Sequence, residues 1–352
     1  MSDIPLLDAS GVAKNFGAVK ALTDAKLTLS KGQVIALMGA NGAGKSTFVK
    51  ILTGALKPTA GRVLIRGQEA RVGSPAEAQR SGLVPVYQEP SLIPDLNVAD
   101  NLTLGNTPVQ TFRNWVEELG IESLKLTDMI SDLPLATLRI LDLARALAAQ
   151  PDVLLLDEMT AALPTDLVDN VLKTVRKQAD AGMGVIYISH RFTEISDLCD
   201  NATVLRDGCT VGELPIEPGV EDRAVELMLG AKLALGKRHT GVALRSEGTP
   251  QLAARGLASA PKLSDVSFDL FAGEVLGVVA LEGQGQDELF DLLAGITPPT
   301  SGTLSVDSTV ASFNHPSDAI ARGITYVPGN RADALLLQRS VRENIALPFA
   351  AR

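Results

Sequence analysis

Short apolar runs alternate with amphipathic segments along the first two thirds of the chain. The runs are VIALMG, VPVY, VLLLD and VIYIS, which begin at Val34, Val84, Val153 and Val185. Their length and aliphatic composition are typical of strands buried on both faces of a parallel sheet. Helix-period segments lie between them: KSTFVKILTG, LRILDLARALAAQ and DLVDNVLKTVRKQADAG. This alternation predicts an α/β layered fold, in which ligands bind at the carboxyl ends of the strands.

The chain contains a long internal repeat. The block from Lys20, KALTDAKLTLSKGQVIALMGANGAGKSTFVKILTGALKPTAG, aligns without a gap with the block from Pro261, so that Gly32 matches Gly273 at an offset of 241 residues. The same offset relates PAEAQRSG to PSDAIARG, and VADNL matches VRENI after a two-residue slip. A period this long predicts a duplicated domain rather than a solenoid.

The repeat sets the expected domain limits. We expect a first domain at 1–235, a polar linker without periodicity at 236–250, and a second copy at 251–352. Residue 352 corresponds to about residue 109 of the first copy, so the second copy is expected to be incomplete.

Composition and charge narrow the class of protein. An apolar share of 45% supports a sizeable core, and a net charge of −9 disfavours nucleic acid as a main partner. Cys199 and Cys209 lack the spacing of a redox or zinc motif, which fits unremarkable thiols in a reducing cytosol. We expect no signal peptide, and no apolar run reaches the ~20 residues that span a bilayer. Membrane contact is therefore expected to go through a partner.

A glycine-rich loop joins the run VIALM to the helical segment KSTFVKIL. In this strand-to-helix context such a loop is a phosphate-binding motif, because its backbone N–H groups point at phosphate oxygens. Lys45 would meet the β- and γ-phosphates, and the Ser46 hydroxyl would reach Mg²⁺. The residues predicted to bind ATP are Gly39, Ala40, Asn41, Gly42, Ala43, Gly44, Lys45, Ser46 and Thr47.

Two carboxylates end the run VLLLD. We expect Asp157 to hold Mg²⁺ and Glu158 to orient or deprotonate the attacking water. The alternative is that the two carboxylates cap the helix that begins near Pro164.

Polar residues also end two other runs. Gln88 follows VPVY and could reach the metal and the water, and His190 follows VIYIS and could contact the γ-phosphate. Each could equally be an ordinary polar strand terminus. Phe16 could stack on a base or could belong to the core.

These motifs together resemble the ATP-binding subunits of ABC transporters, most closely the tandem ATPases of simple-sugar importers (the ribose, galactose and xylose type). The similar segments are KNFGAVKAL, GANGAGKST, VYQEPSLIPDLNVADNLTLG, LLLDEMTAAL and IYISHRFTEISDLCDNATVLRDG, with GITYVPGNR and SVRENIAL in the second copy. The resemblance implies a P-loop NTPase fold of ABC type and a two-lobed domain that dimerises head to tail around ATP and Mg²⁺.

The resemblance also implies roles and partners. Phe16 would stack on adenine, Gln88 would be the Q-loop residue, Glu158 the catalytic carboxylate and His190 the switch histidine. The partners would be integral-membrane permease subunits and, indirectly, a solute-binding protein. The chain would then sit at the cytoplasmic side of the plasma membrane.

The chain departs from the family pattern in both copies. The LSGGQ-like signature is replaced by LPLAT at 133–137, where Pro134 has neither a hydroxyl nor an N–H and Ala136 adds a methyl group. In the second copy Gln286 and Asp287 replace the lysine and serine of the loop, and Glu282 adds charge. We therefore expect weak or no nucleotide binding there. The helical lobe between Gly105 and Leu133 is also expected to be shorter than usual.

The sequence leaves three functions open. The first is the energy-coupling ATPase of a sugar importer, with slow hydrolysis unless a dimer partner or another chain supplies the missing ABC half. The second is a truncated nucleotide-binding or regulatory fragment. The third, a tandem ABC ATPase acting on ribosomes or DNA, is disfavoured by the defective second loop and the acidic charge.

Overall fold

The computed structural model describes residues 4–69, 74–121, 123–161, 163–230, 248–280, 284–328 and 334–347. The chain divides into two compact units, Met1–Gly236 and Lys237–Arg352, which are described separately below. The expected linker at 236–250 lies outside the described residues up to residue 247.

The strands of the first unit form one mixed sheet in the order β5-β4-β1-β2-β10-β9-β3-β8-β7-β6. Neighbours from β9 to β6 run parallel. In chain order the strands are β1 (Leu7–Phe16), β2 (Val19–Leu29), β3 (Val34–Met38), β4 (Ala60–Ile65), β5 (Gln68–Glu69), β6 (Leu83–Val86), β7 (Val153–Asp157), β8 (Gly184–Ile188), β9 (Asn201–Arg206) and β10 (Cys209–Pro215).

Helices accompany the sheet. In chain order they are α1 (Lys45–Leu52), α2 (Pro75–Arg80), α3 (Val98–Leu104), α4 (Val109–Glu118), a 3-10 turn (Ile130–Asp132), α5 (Leu135–Ala148), α6 (Thr165–Asp180), α7 (Phe192–Leu198) and α8 (Val220–Leu229). Of these, α1, α5 and α6 lie where the three amphipathic segments predict them. The predicted α/β fold is confirmed.

The central strand β3 is buried on both faces, as its sequence predicts. Val34, Ala36 and Met38 face a core that includes apolar residues of α5 and α6. Ile35 and Leu37 face a second core that includes the buried side of α1. Because successive strand residues point to opposite faces, this strand fixes helices on both sides of the sheet.

The antiparallel half of the sheet was not predicted. β1 pairs with β2 and with β4, and its buried residues begin in alternation at Leu7 and Ala9. The alternation then slips at Gly11, whose φ of 61° accompanies a shift in the β1–β2 register. A bulge of this kind breaks the period of two on which strand prediction depends.

The second unit repeats part of the element order of the first. It contains a four-stranded sheet in the order β12-β11-β13-β14. Its elements in chain order are β11 (Leu252–Ser259), β12 (Leu263–Leu270), α9 (Gln286–Leu293), β13 (Ser301–Val306), β14 (Thr309–Ala311), α10 (Pro316–Ala321) and α11 (Val341–Ala346). Helices α9 and α10 lie at the 241-residue offset from α1 and α2, which confirms the duplication.

One segment of the second unit departs from its counterpart. Val275–Val279 matches β3, yet it forms no strand, and Val275 and Val279 are each 97% exposed. In the first unit β3 lies between β8 and β9. Among the described residues of the second unit, none pairs with Val275–Val279, so its backbone groups have no ladder there.

Candidate phosphate-binding site

The loop between β3 and α1 is built to receive an anion. Gly44 precedes α1 with φ 106° and provides no side-chain cap, and the first turn of α1 carries no acidic residue. The N–H groups of a first helical turn have no acceptor within the helix, and the helix dipole is positive at that end. The backbone therefore suits a phosphate group, and these residues fit the nucleotide that the motif predicts.

Lys45 lies across the mouth of this loop. Its Nζ donates to the carbonyl oxygen of Gly39 at 2.6 Å and to that of Ala40 at 3.3 Å. Burial lowers the pKa of Lys45, while the nearby charges of Glu158 and Asp157 oppose the shift. The side chain is thus held beside both the loop and the carboxylates that end β7.

Two glycines of the loop have different surroundings. A Cβ at Gly44 would lie 2.6 Å from Leu22 Cδ2 and 2.9 Å from the Ala21 carbonyl oxygen, whereas a Cβ at Gly42 would meet nothing within 4 Å. Both residues have positive φ, at 106° and 82°. Of these two positions, both favour glycine through the positive φ, but only at Gly44 would a side chain also collide with β2.

This difference predicts unequal costs for alanine. Gly44→Ala is expected to lower the free energy of unfolding of the first unit by about 2 kcal/mol more than Gly42→Ala, because overpacking adds to a shared left-handed strain. Urea denaturation without nucleotide, followed by the fluorescence of Trp115 in α4, measures both variants. Equal destabilisation would contradict the packing argument.

The acidic pair stands at the carboxyl end of β7. Glu158 has φ 51°, and its N–H donates to the Ile188 carbonyl oxygen at 2.9 Å, which ties it to the end of β8. Its Oε1 lies 2.6 Å from His190 Nε2. Burial raises the pKa of Asp157, the neighbouring Glu158 adds to the rise, and Lys45 and His190 oppose it. Lys45, Asp157, Glu158 and His190 therefore form one electrostatic cluster.

The capping alternative for the two carboxylates is not what the structure shows. The residue that caps α6 is Pro164, which makes no side-chain cap. Among the described residues, the polar contact of the Glu158 side chain is with His190.

Gln88 and Phe16 stand apart from this cluster. Gln88 is exposed two residues beyond β6, and no hydrogen bond or ion pair joins it to the cluster within the described part of the chain. Phe16, at the end of β1, is 50% exposed, with the Lys14 ammonium 5.3 Å from its ring centroid. Both roles remain predictions.

Helix α5 contributes two buried charged residues that sequence reasoning missed. Arg139 donates to the carbonyl oxygens of Met159 at 2.9 Å and Glu158 at 3.4 Å. Asp142 accepts from the Ser91 N–H at 3.1 Å and from Arg145 at 2.5 Å. Helix α5 is thus hydrogen-bonded both to the backbone at the acidic pair and to the segment after Gln88. The available signal was a charged residue at an apolar helix position.

The altered signature forms the start of α5. Pro134 occupies the cap position without a side-chain hydrogen bond, and Leu135 is 44% exposed. A proline offers no N–H or hydroxyl to a phosphate. This segment therefore presents a partly apolar surface where the family pattern places serine and glycines.

The described residues around the second unit's loop carry features that disfavour an anion. Gln286 Oε1 accepts from the Gln284 N–H at 3.1 Å, so the substituted side chain occupies a backbone donor of the loop. Asp287 and Glu288 both lie in the first turn of α9. Burial raises the pKa of Asp291, and the charges of Asp287 and Glu288 raise it further. Glu282, also expected to repel phosphate, lies outside the described residues.

The fold and the loop together define a P-loop ATP-binding cassette. Residues 22–161 match the family model described as ABC transporter. Two solved cassettes align with TM-scores of 0.57 and 0.56: a nucleotide-free ATP-binding cassette from an ABC transporter, and the ADP conformation of the cassette MJ1267. Each is 24% identical in sequence, and the match covers 64% of this chain and 99% of the other. These likenesses show the fold.

Similar proteins place the chain more narrowly. It is 36% identical over 362 residues to ribose import ATP-binding protein RbsA 1 of Rhizobium johnstonii, covering 97% of this chain and 70% of the relative. It is also 36% identical to ribose import ATP-binding protein RbsA of Halalkalibacterium halodurans, covering 99% and 72%. The chain therefore belongs to the ABC transporter family, among the ATPase subunits of sugar importers.

Two features are absent from the described residues. No helix there has the length and apolarity needed to cross a bilayer. No group of three or more His, Cys, Asp or Glu side chains there is arranged to hold a metal ion.

Proposed function

We propose that this chain is the ATP-binding, energy-coupling subunit of an importer for a simple sugar. The observation that carries the proposal is the cluster of Lys45, Asp157, Glu158 and His190 beside an open helix N-terminus, in a chain related to ribose import proteins. The relatives' names make ribose the first sugar to test.

The proposed roles follow from position for the cluster and from the family resemblance for Phe16 and Gln88. Lys45 and the loop amides bind the phosphates, and Phe16 stacks on the base. Ser46, Asp157 and Gln88 supply the oxygen ligands that Mg²⁺ prefers, and the bound ion would neutralise phosphate charge. Glu158 Oε1 accepts a proton from water, and His190 Nε2, 2.6 Å away, orients that carboxylate.

The proposed partners lie in the membrane. Permease subunits would carry the solute, a solute-binding protein would deliver it, and this chain would dock on the cytoplasmic face. Hydrolysis at the first unit would drive transport. In the second unit a glutamine side chain of the loop already accepts from a loop N–H, and two carboxylates stand in the first turn of the helix.

A second candidate is a nucleotide-binding or regulatory chain with little ATPase activity of its own. The observation that favours it is the signature at 133–137. Pro134 offers no hydroxyl or N–H to a phosphate, and Ala136 adds a methyl group where a glycine would let the backbone approach closely. We infer that residues 1–352 alone hydrolyse ATP slowly and that another ABC half restores turnover.

Sugar uptake distinguishes these functions. Proteoliposomes with the permease of a ribose importer, its binding protein, this chain and a polypeptide that supplies the other ABC half are expected to take up labelled ribose when ATP is present. Glu158→Gln should slow uptake about 100-fold while ATP binding persists, since it removes a general base. The exposed Glu117→Gln on α4 serves as a control. ATP binding without uptake would favour the second candidate.

A further inference from the structure

A buried carboxylate lies behind the pair formed by Glu158 and His190. Glu194, in the first turn of α7, is 4% exposed. Its Oε2 accepts hydrogen bonds from three hydroxyl groups, and its Oε1 accepts one from Arg191 Nη1 at 3.1 Å. The hydroxyl donors are Thr160 at 2.8 Å, Tyr187 at 2.7 Å and Ser189 at 2.7 Å.

These donors belong to the two segments that carry the candidate catalytic residues. Thr160 lies two residues after Glu158, beyond the end of β7. Ser189 and Arg191 lie on either side of His190, beyond the end of β8. The Arg191 N–H also donates to Ser189 Oγ at 3.1 Å, which fixes the backbone around the histidine. One carboxylate therefore joins both strand ends.

Glu194 keeps its charge in this setting. Burial raises the pKa of Glu194, but hydrogen bonds from Ser189, Tyr187, Thr160 and Arg191 outweigh burial and hold that pKa below its usual value. Burial also raises the pKa of Tyr187, so its hydroxyl remains a donor. Hydrogen bonds to an ionised acceptor are roughly twice as strong as neutral ones, and such networks fix geometry.

The position of the His190 ring depends on the hydrogen bonds that hold its backbone segment to Glu194. The His190 side chain is 60% exposed, and the polar contact that the described residues give it is Glu158 Oε1. Because most of the side chain is exposed, we expect its place to depend on the backbone on either side.

We propose that Glu194 is a positioning residue, whose carboxylate holds the segments after β7 and β8 together and so sets the distance between Glu158 and His190. The proposal concerns the same site as the proposed function and rests on it only for the effect on ATP hydrolysis.

The test is hydrogen exchange on the full chain carrying Glu194→Gln. The variant keeps the size of the side chain but loses the charge and one acceptor oxygen, and leaves hydroxyls poorly satisfied. Amides in residues 157–161 and 187–195 are expected to exchange about tenfold faster, while those of β3 and α1 stay unchanged, because local opening is separable from global unfolding. Affinity for an ATP analogue should stay within about twofold.

Two comparisons sharpen the result. Glu118→Gln removes a carboxylate with a bond of similar length, 2.7 Å to Lys177, on the exposed face of α4, and should leave all these amides unchanged. In ATP turnover, Glu194→Gln should add no further loss to His190→Ala, since both act through the same ring.

Each contrary outcome is informative. Unchanged exchange in both segments would overturn the proposal. Uniformly faster exchange across the first unit, or additive losses in the double variant, would also overturn it by showing a general structural role. Failure of the wild-type chain to bind ATP would instead refute the proposed function, and the exchange pattern would still decide the role of Glu194.

Discussion

A Lys45→Ala variant is expected to bind MgATP about 100-fold more weakly than the wild-type chain, a loss of about 2.7 kcal/mol. The ammonium is held at the loop mouth by the Gly39 and Ala40 carbonyl oxygens, so it is already in place to meet phosphate oxygens. Isothermal titration of the full chain with MgATP measures the change.

The matched control is Lys50→Ala. Lys50 lies on the same helix, five residues further along, and is exposed. The Lys50→Ala substitution removes the same charge without altering the loop. If local geometry rather than net charge controls binding, the affinity of this variant for MgATP should stay within about twofold of the wild-type value. Equal losses in both variants would show that binding is a general charge effect and would contradict the assignment of the loop.

The grouping of Lys45 with Asp157 and His190 could be predicted from the sequence because each residue follows a local pattern. The loop from Gly39 to Ser46 joins a strand and a helix that are adjacent in the chain, and Asp157 and His190 each end a short apolar run. In a parallel sheet the carboxyl ends of the strands lie at the same edge, so strand type predicts that these residues share an edge. Which of them come together depends on the strand order β3-β8-β7, and Gln88, beyond β6, stands apart.

The supporting contacts could not be predicted in the same way. Glu194 and Arg139 lie in helical segments, where a charged side chain is usually solvated. Their roles appear only when groups from distant segments meet, such as Thr160 with Tyr187 around one carboxylate. The antiparallel strand β1 was missed for another reason, because the bulge near Gly11 interrupts its alternation.

The second unit shows how far a duplicated sequence specifies a duplicated structure. α9 matches α1, and β13 matches β4. Val275–Val279 keeps an apolar sequence like that of β3 but forms no strand. Gly277 stands where the first copy has Ala36, and a glycine inside a strand weakens it. β3 is also paired on both sides, with β8 and β9, which supply a hydrogen-bond ladder and burial, whereas no described residue of the second unit pairs with Val275–Val279.

Supplying those neighbours is expected to complete the second unit and to raise ATP turnover about 100-fold, the scale of an added electrostatic contact in the transition state. The polypeptide to add is the carboxyl-terminal part of the R. johnstonii relative, of which this chain covers 70%. Co-expression should yield a stable complex in which amides at 274–280 are protected from exchange, and steady-state hydrolysis measures turnover.

Two valine variants test whether the exposed segment is the docking surface. Val278 matches Leu37, which is 1% exposed inside the sheet of the first unit. Val278→Asp should therefore abolish the complex, since an unpaired carboxylate would have to be buried between strands. Val310, on β14 of the same unit, is 68% exposed, and Val310→Asp should leave the complex intact.

If both variants lose the complex, association is nonspecific. If the wild-type chain forms no complex, the slow hydrolysis that we infer needs another cause, and the altered signature at Pro134 and Ala136 becomes the next segment to restore.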